Sequence, residues 1–199
     1  MFKKLLILNF FILNSFFFNV SHSIEADVFV QSTVNRASDT LSGNNTKEER
    51  IEELKKIALD TVDIKGIGFY SLGGHRKNLS DDQKKEYSEV FKDYFLVSFS
   101  SRLAEYSNPI IEVNSKEKLS EKYTIVSSTL AATDKRPAIK IDWRIYTKNP
   151  EKPLIRDLII EGLSLARTQK EEFNSIIQSA DGDVEALFSN LREFSNRKF

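Results

Sequence analysis

The chain has 199 residues, of which 40% are hydrophobic, and its 29 lysines and arginines equal its 29 aspartates and glutamates. This length and hydrophobic content fit one globular domain and argue against a disordered or low-complexity protein. The lack of cysteine excludes disulfide scaffolds, iron–sulfur clusters, thiolate zinc sites and cysteine nucleophiles. The balanced charge argues against a strongly basic nucleic-acid binder.

The N-terminal residues have the composition of a secretory signal peptide. Two lysines precede an apolar stretch, and small residues follow it. We expect residues 1–23 to be the signal peptide, with cleavage after Ser23 or, as the alternative, after Ala26. The other interpretation is an uncleaved membrane anchor, which Asn9 and Asn14 disfavour because they interrupt the apolar stretch.

Residues 24–46 are polar and rich in turn-forming residues, which predicts a flexible N-terminal arm. The main domain is expected over residues 47–199. Its first helix is predicted to begin after Thr46, because Thr46 and Glu49 have the spacing of a capping box. A second, short helix is predicted to begin after Asp63 and to end at a pair of glycines.

The longest periodic segment predicts an amphipathic helix of about twenty-five residues. Ser80 and Gln83 form a second capping box at its start, and Pro109 stops it. Its apolar stripe is unusually aromatic and comprises Tyr87, Val90, Phe91, Tyr94, Phe95, Phe99, Leu103 and Tyr106.

The hydrophobic pattern then changes from a helical period to alternation, which is typical of strands. Four runs with no helix between them predict an antiparallel sheet. Two helices follow, with Thr168 and Asp183 as their predicted N-caps. The order of elements indicates an α+β domain, in which a four-stranded, twisted antiparallel sheet packs against several helices. The four predicted strands are residues 109–113, 123–130, 138–146 and 154–165.

Motifs for catalysis are weak. Residues 66–68 lack the third glycine of a dinucleotide-binding fingerprint. Residues 162–166 end in alanine where a nucleophile elbow has glycine, and His75 is the single histidine after the signal segment. The sequence therefore predicts neither an enzyme nor a cofactor.

Asp157, Glu161, Gly162 and Ser164 have the spacing Asp-x-x-x-Glu-Gly-x-Ser. This segment resembles a strand of the MlaC family, also called the toluene-tolerance or ABC-transporter auxiliary family. The resemblance extends over about residues 62–194 and includes the order of elements. One departure is Pro153, four residues before the strand aspartate, where family members often have tryptophan.

The resemblance implies a soluble periplasmic protein that carries phospholipid as cargo and needs no other cofactor. Such carriers exchange lipid between an outer-membrane lipoprotein–porin complex and an inner-membrane ABC-transporter complex, which maintains the lipid asymmetry of the outer membrane. A monomer without nucleic-acid partners is implied.

An apolar pocket between sheet and helices would hold the acyl chains, because an acyl chain is stable in water only when apolar surface covers it. The predicted lining joins the aromatic helix to the strands. It comprises Phe91, Tyr94, Phe95, Phe99, Tyr106, Tyr123, Ile125, Ile139, Ile141, Trp143, Ile145, Leu158 and Ile160.

Two other functions remain open at this point. One is an envelope adaptor whose core is filled by these same side chains and whose helices bind protein partners. The other is a cone-shaped α+β enzyme for a small molecule, with Asp142 or Asp157 as its acid–base residue.

Overall fold

A computed structural model of the chain describes residues 23–134 and 136–197. The predicted signal peptide lies almost wholly outside these residues. None of the helices in the described ranges is both long enough and apolar enough to cross a membrane. The described elements, in chain order, are α1 (Ala26–Ser42), α2 (Lys47–Thr61), α3 (Ile64–Ser71), a 3₁₀ turn (Gly73–Lys77), α4 (Asp81–Leu103), β1 (Ile111–Ser120), β2 (Tyr123–Leu130), β3 (Ile139–Tyr146), β4 (Leu154–Ile160), β5 (Leu163–Ser164), α5 (Leu165–Ser179) and α6 (Val184–Ser195).

The strands form one antiparallel sheet in the order β1-β2-β3-β4-β5, so the predicted α+β class and antiparallel pairing are confirmed. The described sheet has five strands and not the predicted four. The fourth apolar run breaks at Glu161 and Gly162, whose φ angles of 49° and 83° form a tight turn. Ser164 then caps α5 by accepting a hydrogen bond from the Arg167 amide (3.1 Å), so this helix begins before the predicted cap at Thr168.

The first strand is also longer than predicted. Residues 114–120 are almost entirely polar and give no strand signal, yet β1 continues to Ser120 by pairing with β2. As the first strand in the order, β1 lies at an edge of the sheet, where exposed lysines such as Lys116 and Lys118 discourage pairing with another chain.

The register divides the side chains of the sheet between two faces, because directly opposite residues of an antiparallel pair point to the same side. Trp143 lies opposite Val126 on β2 and opposite Leu158 on β4. We call their side the core face, which carries Val126, Ser128, Leu130, Ile139, Ile141, Trp143, Ile145, Ile155, Leu158 and Ile160. The outer face carries Tyr123, Ile125, Ser127, Asp142, Arg144, Tyr146, Asp157 and Ile159.

The helices bury the core face, and α3 and α4 pack on each other at very short range. Tyr87 and Phe91 are 0% and 2% exposed and belong to the same hydrophobic cluster as Val126 and Ile145. The Tyr87 hydroxyl donates a hydrogen bond to the carbonyl oxygen of Gly68 (2.9 Å). A Cβ at Gly68 would meet the Phe91 ring at 2.6 Å, so glycine is needed for this approach.

The predicted flexible arm is wrong for residues 26–42, which form α1. Ala26, Val30 and Val34 recur every four residues and are buried in the main core. Lys116 of β1 holds the start of α1 through Glu25 (2.6 Å) and Asp27 (2.8 Å). The segment is rich in Ser, Thr and Asn, so its local helix propensity is low and the helix depends on tertiary packing.

Candidate functional site

The aromatic side chains of α4 are covered to different degrees along the helix. Tyr87 and Phe91 are fully buried. Phe95 and Phe99 are half-buried, although they pack against the same core. Their rings stack on each other, with centroids 5.5 Å apart and planes 11° apart. The C-terminal half of α4 therefore presents apolar surface that the rest of the protein covers incompletely.

Burial on the core face of the sheet falls in a similar way. Along β3 the exposed fraction is 0% at Ile145 and 8% at both Trp143 and Ile141, and Ile139 is half-buried. Along β4, Leu158 and Ile160 are half-buried. The apolar surface is thus least covered at one end of the sheet.

The two incompletely covered regions lie toward the same end of the molecule. The start of α4 is held against α3 by the hydrogen bond from Tyr87 to Gly68, and α3 lies beside β4, whose first residues pair with the segment just before α3. The end of α4 leads instead to the segment before β1. There the amide of Ala131, the residue just after β2, donates a hydrogen bond to the carbonyl oxygen of Ile110 (2.8 Å).

We call this region the apolar mouth, and define it by Phe95, Phe99, Ile139, Leu158 and Ile160. Leu163 pairs with Ile160 across the β4–β5 turn and is 59% exposed, so apolar surface continues outward from the mouth. Single exposed leucines are common on protein surfaces, but apolar side chains that border an incompletely covered core indicate a binding surface.

Two residues of the predicted lining lie on the opposite side of the sheet. Tyr123 and Ile125 belong to the outer face, with Ile125 opposite Arg144. The expectation that they line the same wall as Ile141 is therefore wrong. Residues 123–130 contain no strict alternation, since Ile125 and Val126 are adjacent, and only the pairing with β3 decides which of them faces the core.

A third residue of the predicted lining lies beyond the helix. Tyr106 follows the end of α4 at Leu103 and is 39% exposed. Its ring lies under the guanidinium of Arg136, 5.4 Å from the ring centroid. Tyr106 is therefore on the surface and not part of the buried stripe.

The polar tips of two predicted lining residues are already bonded within the protein. The Tyr94 hydroxyl donates to Oε1 of Gln169 (2.9 Å), and burial raises the pKa of Tyr94. Nε1 of Trp143 donates to the Ser128 hydroxyl (2.8 Å), which in turn donates to the carbonyl of Ile141 (3.2 Å). Ser128 is buried among apolar side chains, and no sequence pattern predicted its role.

The two carboxylates considered as acid–base residues are held by hydrogen bonds. Asp157 is 4% exposed and accepts from the Ser164 hydroxyl (2.6 Å) and the Ala166 amide (3.0 Å), which ties β4 to the start of α5. Asp142 accepts from the Ser127 hydroxyl (2.6 Å) and lies 3.0 Å from Nζ of Lys140. Both lie on the outer face. In the part of the chain that the structure describes, no group of three or more His, Asp or Glu residues could hold a metal ion.

Comparisons with known proteins agree with this architecture. The model of the MlaC protein family matches residues 30–193. No curated protein matches the chain significantly, whereas seven chains of solved structures do. One of them is the phospholipid-binding protein from Ralstonia solanacearum in complex with a phospholipid, which has 20% sequence identity and a TM-score of 0.72, with 86% of this chain and 97% of that chain covered. At this identity the match demonstrates a shared fold.

Proposed function

The chain belongs to the MlaC family, and we propose that it is a periplasmic phospholipid carrier, exported by a signal peptide in residues 1–23. It takes phospholipid as cargo, exchanges it between an inner-membrane ABC-transporter complex and an outer-membrane lipoprotein–porin complex, and so helps to maintain outer-membrane lipid asymmetry. The observation that carries this proposal is the apolar mouth, where apolar side chains of α4 and of the core face are only half-buried.

The energetics of acyl chains explain why a carrier needs such a surface. Each CH₂ exposed to water costs about 0.8 kcal/mol, so two acyl chains in free solution cost on the order of 20 kcal/mol or more. A protein that covers the chains removes this cost. It must also release them, which favours a surface that side chains cover only in part in the absence of lipid.

We infer that the acyl chains enter between the C-terminal half of α4 and the core face. The stacked rings of Phe95 and Phe99 lie on one side of this entry, and Ile139 and Leu158 lie on the other. The fully buried end around Tyr87 and Phe91 stays packed and holds the helices in place. The phospholipid bound by the structural neighbour, which has the same fold, supports phospholipid as the cargo.

The geometry favours binding over catalysis. An acid–base residue needs a carboxylate in contact with the substrate and poised to exchange a proton. Asp142 and Asp157 lie on the outer face, away from the apolar mouth, and their oxygens are engaged by neighbouring donors. We therefore propose no reaction for this site.

The proposal is tested by replacing one ring of the mouth. Phe99→Asp should abolish co-purification of phospholipid, because it places a carboxylate where the chains enter. Ile125→Asp is the matched control, since Ile125 is also half-buried but lies on the outer face, and this variant should keep its lipid. Mass spectrometry of protein isolated from the envelope measures lipid per chain, and circular dichroism checks folding.

Two outcomes would contradict the assignment. Wild-type protein without lipid, which also fails to extract it from vesicles, would exclude a carrier and favour the adaptor with a filled core. Folded Phe99→Asp protein that keeps its lipid would place the acyl chains elsewhere. Cell fractionation tests the compartment, and transfer of labelled lipid between vesicles bearing either membrane complex tests the two partners.

A further inference from the structure

A cleft of about 320 Å³ lies at the other end of the sheet, between α3 and the outer face. Its floor is formed by Tyr123, Arg144 and Arg156, and α3 contributes Ile67 and Tyr70. The volume is at the lower end of the range of about 300–1,000 Å³ found for small-molecule sites. A headgroup-sized ligand fits this space, whereas a whole phospholipid does not.

Arg144 is the residue of the cleft that lacks a partner. Its Nε is buried and has no hydrogen bond, and the structure shows no ion pair between Arg144 and any described residue. The carboxylate opposite it in the register, Asp157, is already bonded to Ser164 and Ala166. A buried donor without an acceptor is unfavourable, and a ligand oxygen would satisfy it.

Arg156 is the second cation of the cleft and is held rigidly. It bonds to Asp63 (2.5 Å) and to the Tyr123 hydroxyl (3.0 Å), and its guanidinium lies 4.3 Å from the centroid of the Tyr146 ring. Burial by itself would lower the pKa of Arg156, but the hydrogen bond and negative charge of Asp63 raise it. The side chain is therefore charged and is held at the floor of the cleft by Asp63, Tyr123 and Tyr146.

The remaining lining is mostly apolar and partly open to solvent, and it also includes Ser120 and the carboxylate of Asp157, whose oxygens are bonded to Ser164 and Ala166. Tyr70 is 43% exposed and Leu119 is 50% exposed, and Ile67 lies deeper. A ligand that fits this cleft combines an anionic group, which faces the guanidinium of Arg144, with a small organic part that covers Tyr70 and Leu119. A planar guanidinium pairs with two oxygens of a phosphate group at once.

We propose that this cleft binds the phosphate group of a small organic phosphate, with Arg144 making the direct contact and the ion pair of Arg156 with Asp63 forming a fixed polar wall beside it. The site is on the outer face and away from the apolar mouth, so it does not depend on the proposed carrier function. The same phosphate chemistry occurs in a soluble phosphate ester and in a phospholipid headgroup, and titration separates these two sources.

The test uses three probes, namely inorganic phosphate, glycerol 3-phosphate and dihexanoyl phosphatidylglycerol below its micelle concentration. Each is titrated into the purified protein at constant ionic strength with chloride as the reference anion, and the Arg144 Nε–H signal is followed by NMR. We expect saturable binding of at least one probe. Arg144→Gln should weaken it at least about tenfold, equivalent to about 1.4 kcal/mol.

Lys140→Gln is the matched control, because Lys140 is a cation on the same strand and the same face but outside the cleft. This variant should bind the probes like the wild type. Tighter binding of glycerol 3-phosphate than of the lipid supports a soluble ester as ligand, and tighter binding of the lipid supports a headgroup.

The proposal is overturned if none of the three probes binds, or if folded Arg144→Gln protein binds them as well as the wild type does. Lipid co-purification measured on the same samples keeps the two proposals apart. Phe99→Asp should lose its lipid and still bind phosphate. If the ligand is a soluble ester, Arg144→Gln should keep its lipid and lose phosphate binding.

Discussion

The two faces of the sheet are made by the same strands, yet they differ in what their side chains contact. The core face is covered by helices and is almost entirely apolar. Its buried polar residue Ser128 accepts a hydrogen bond from Nε1 of Trp143. The outer face carries charged and aromatic residues in alternate positions, such as Arg144 beside Tyr146. Adjacent residues of one strand therefore have different physical roles.

This difference separates the two kinds of binding that we propose. The core face offers apolar area without direction, which suits acyl chains, and it is incompletely covered at the apolar mouth. The outer face offers directed donors in a small cleft, which suits a compact anion. A substitution on one face should leave the property of the other face unchanged, and the following predictions test this separation from the largest expected effect to the smallest.

The largest difference is expected between two isoleucines on neighbouring strands. Ile145→Ala removes a side chain that is 0% exposed on the core face, and it should lower the free energy of unfolding by about 2–5 kcal/mol because a cavity remains. Ile125→Ala, on the outer face, should cost about 1 kcal/mol, since its side chain is only half-buried. Urea unfolding measures both, and equal losses would contradict the division into faces.

A close contact between the helices that cover the core face gives the second prediction. Gly68→Ala places a Cβ at 2.6 Å from the Phe91 ring, so the variant should lose about 1–3 kcal/mol of stability through overpacking. Gly74→Ala is the control, because a Cβ there has open space around it. The helical layer would be more adaptable than the structure indicates if both variants unfolded at the same urea concentration.

Two adjacent serines give a matched comparison of the faces. Ser128→Ala leaves Nε1 of Trp143 buried without an acceptor, and it should cost about 1–3 kcal/mol. Ser127→Ala removes the hydrogen bond to Asp142 on the outer face, where Lys140 still pairs with that carboxylate; it should cost under about 1 kcal/mol.

The chain has a single tryptophan, so its fluorescence reports this site directly. The emission of Trp143 should change in Ser128→Ala and stay constant in Ser127→Ala. A constant emission spectrum in both variants would show that the indole has another acceptor.

The smallest effect concerns pH and the attachment of α1. The hydrogen bond from Lys116 lowers the pKa of Asp27 below its usual value. A carboxyl group with a lowered pKa stabilises the folded state at pH values above its unfolded pKa, and this contribution disappears as the pH falls through the folded pKa, so it is lost below about pH 4.

Lys116→Ala should therefore lower the melting temperature at pH 7 by no more than about 2 °C and should have a smaller effect at pH 2.5. Lys118→Ala is the control, because Lys118 pairs with Glu121 of the adjoining turn and not with α1. Thermal unfolding followed by circular dichroism at both pH values measures the difference. An equal loss in acid would assign the role of Lys116 to packing of its aliphatic stem.

Local signals in the sequence predicted much of the helical framework. The capping boxes at Thr46 and Ser80 are both formed, and Asp63 and Asp183 cap the helices that follow them. These predictions succeed because a cap is made by side chains within three residues of the amides they bond. The strand prediction for β3 succeeds for a related reason, since strict alternation assigns each side chain to a face.

Contacts between distant segments determine the features of the fold that local sequence patterns did not predict. Ala26, Val30 and Val34 recur every four residues, but this pattern is weak in a segment rich in Ser, Thr and Asn, so residues 24–46 resembled an arm, and the buried surface that the three side chains contact is formed by the rest of the fold. The face on which Ile125 lies follows from the pairing register of β2 with β3. A shift of that register by one residue would place Ile125 on the core face.

The sequence by itself determined the fold class, the helix caps, the alternation of β3 and the membership signalled by Asp157, Glu161, Gly162 and Ser164, because each depends on residues close together in the chain. Only the tertiary structure decided which apolar residues fill the core and which form the mouth, and that Arg144 has no partner in its cleft. Those properties depend on contacts between distant strands and helices, which hydrophobicity alone does not encode.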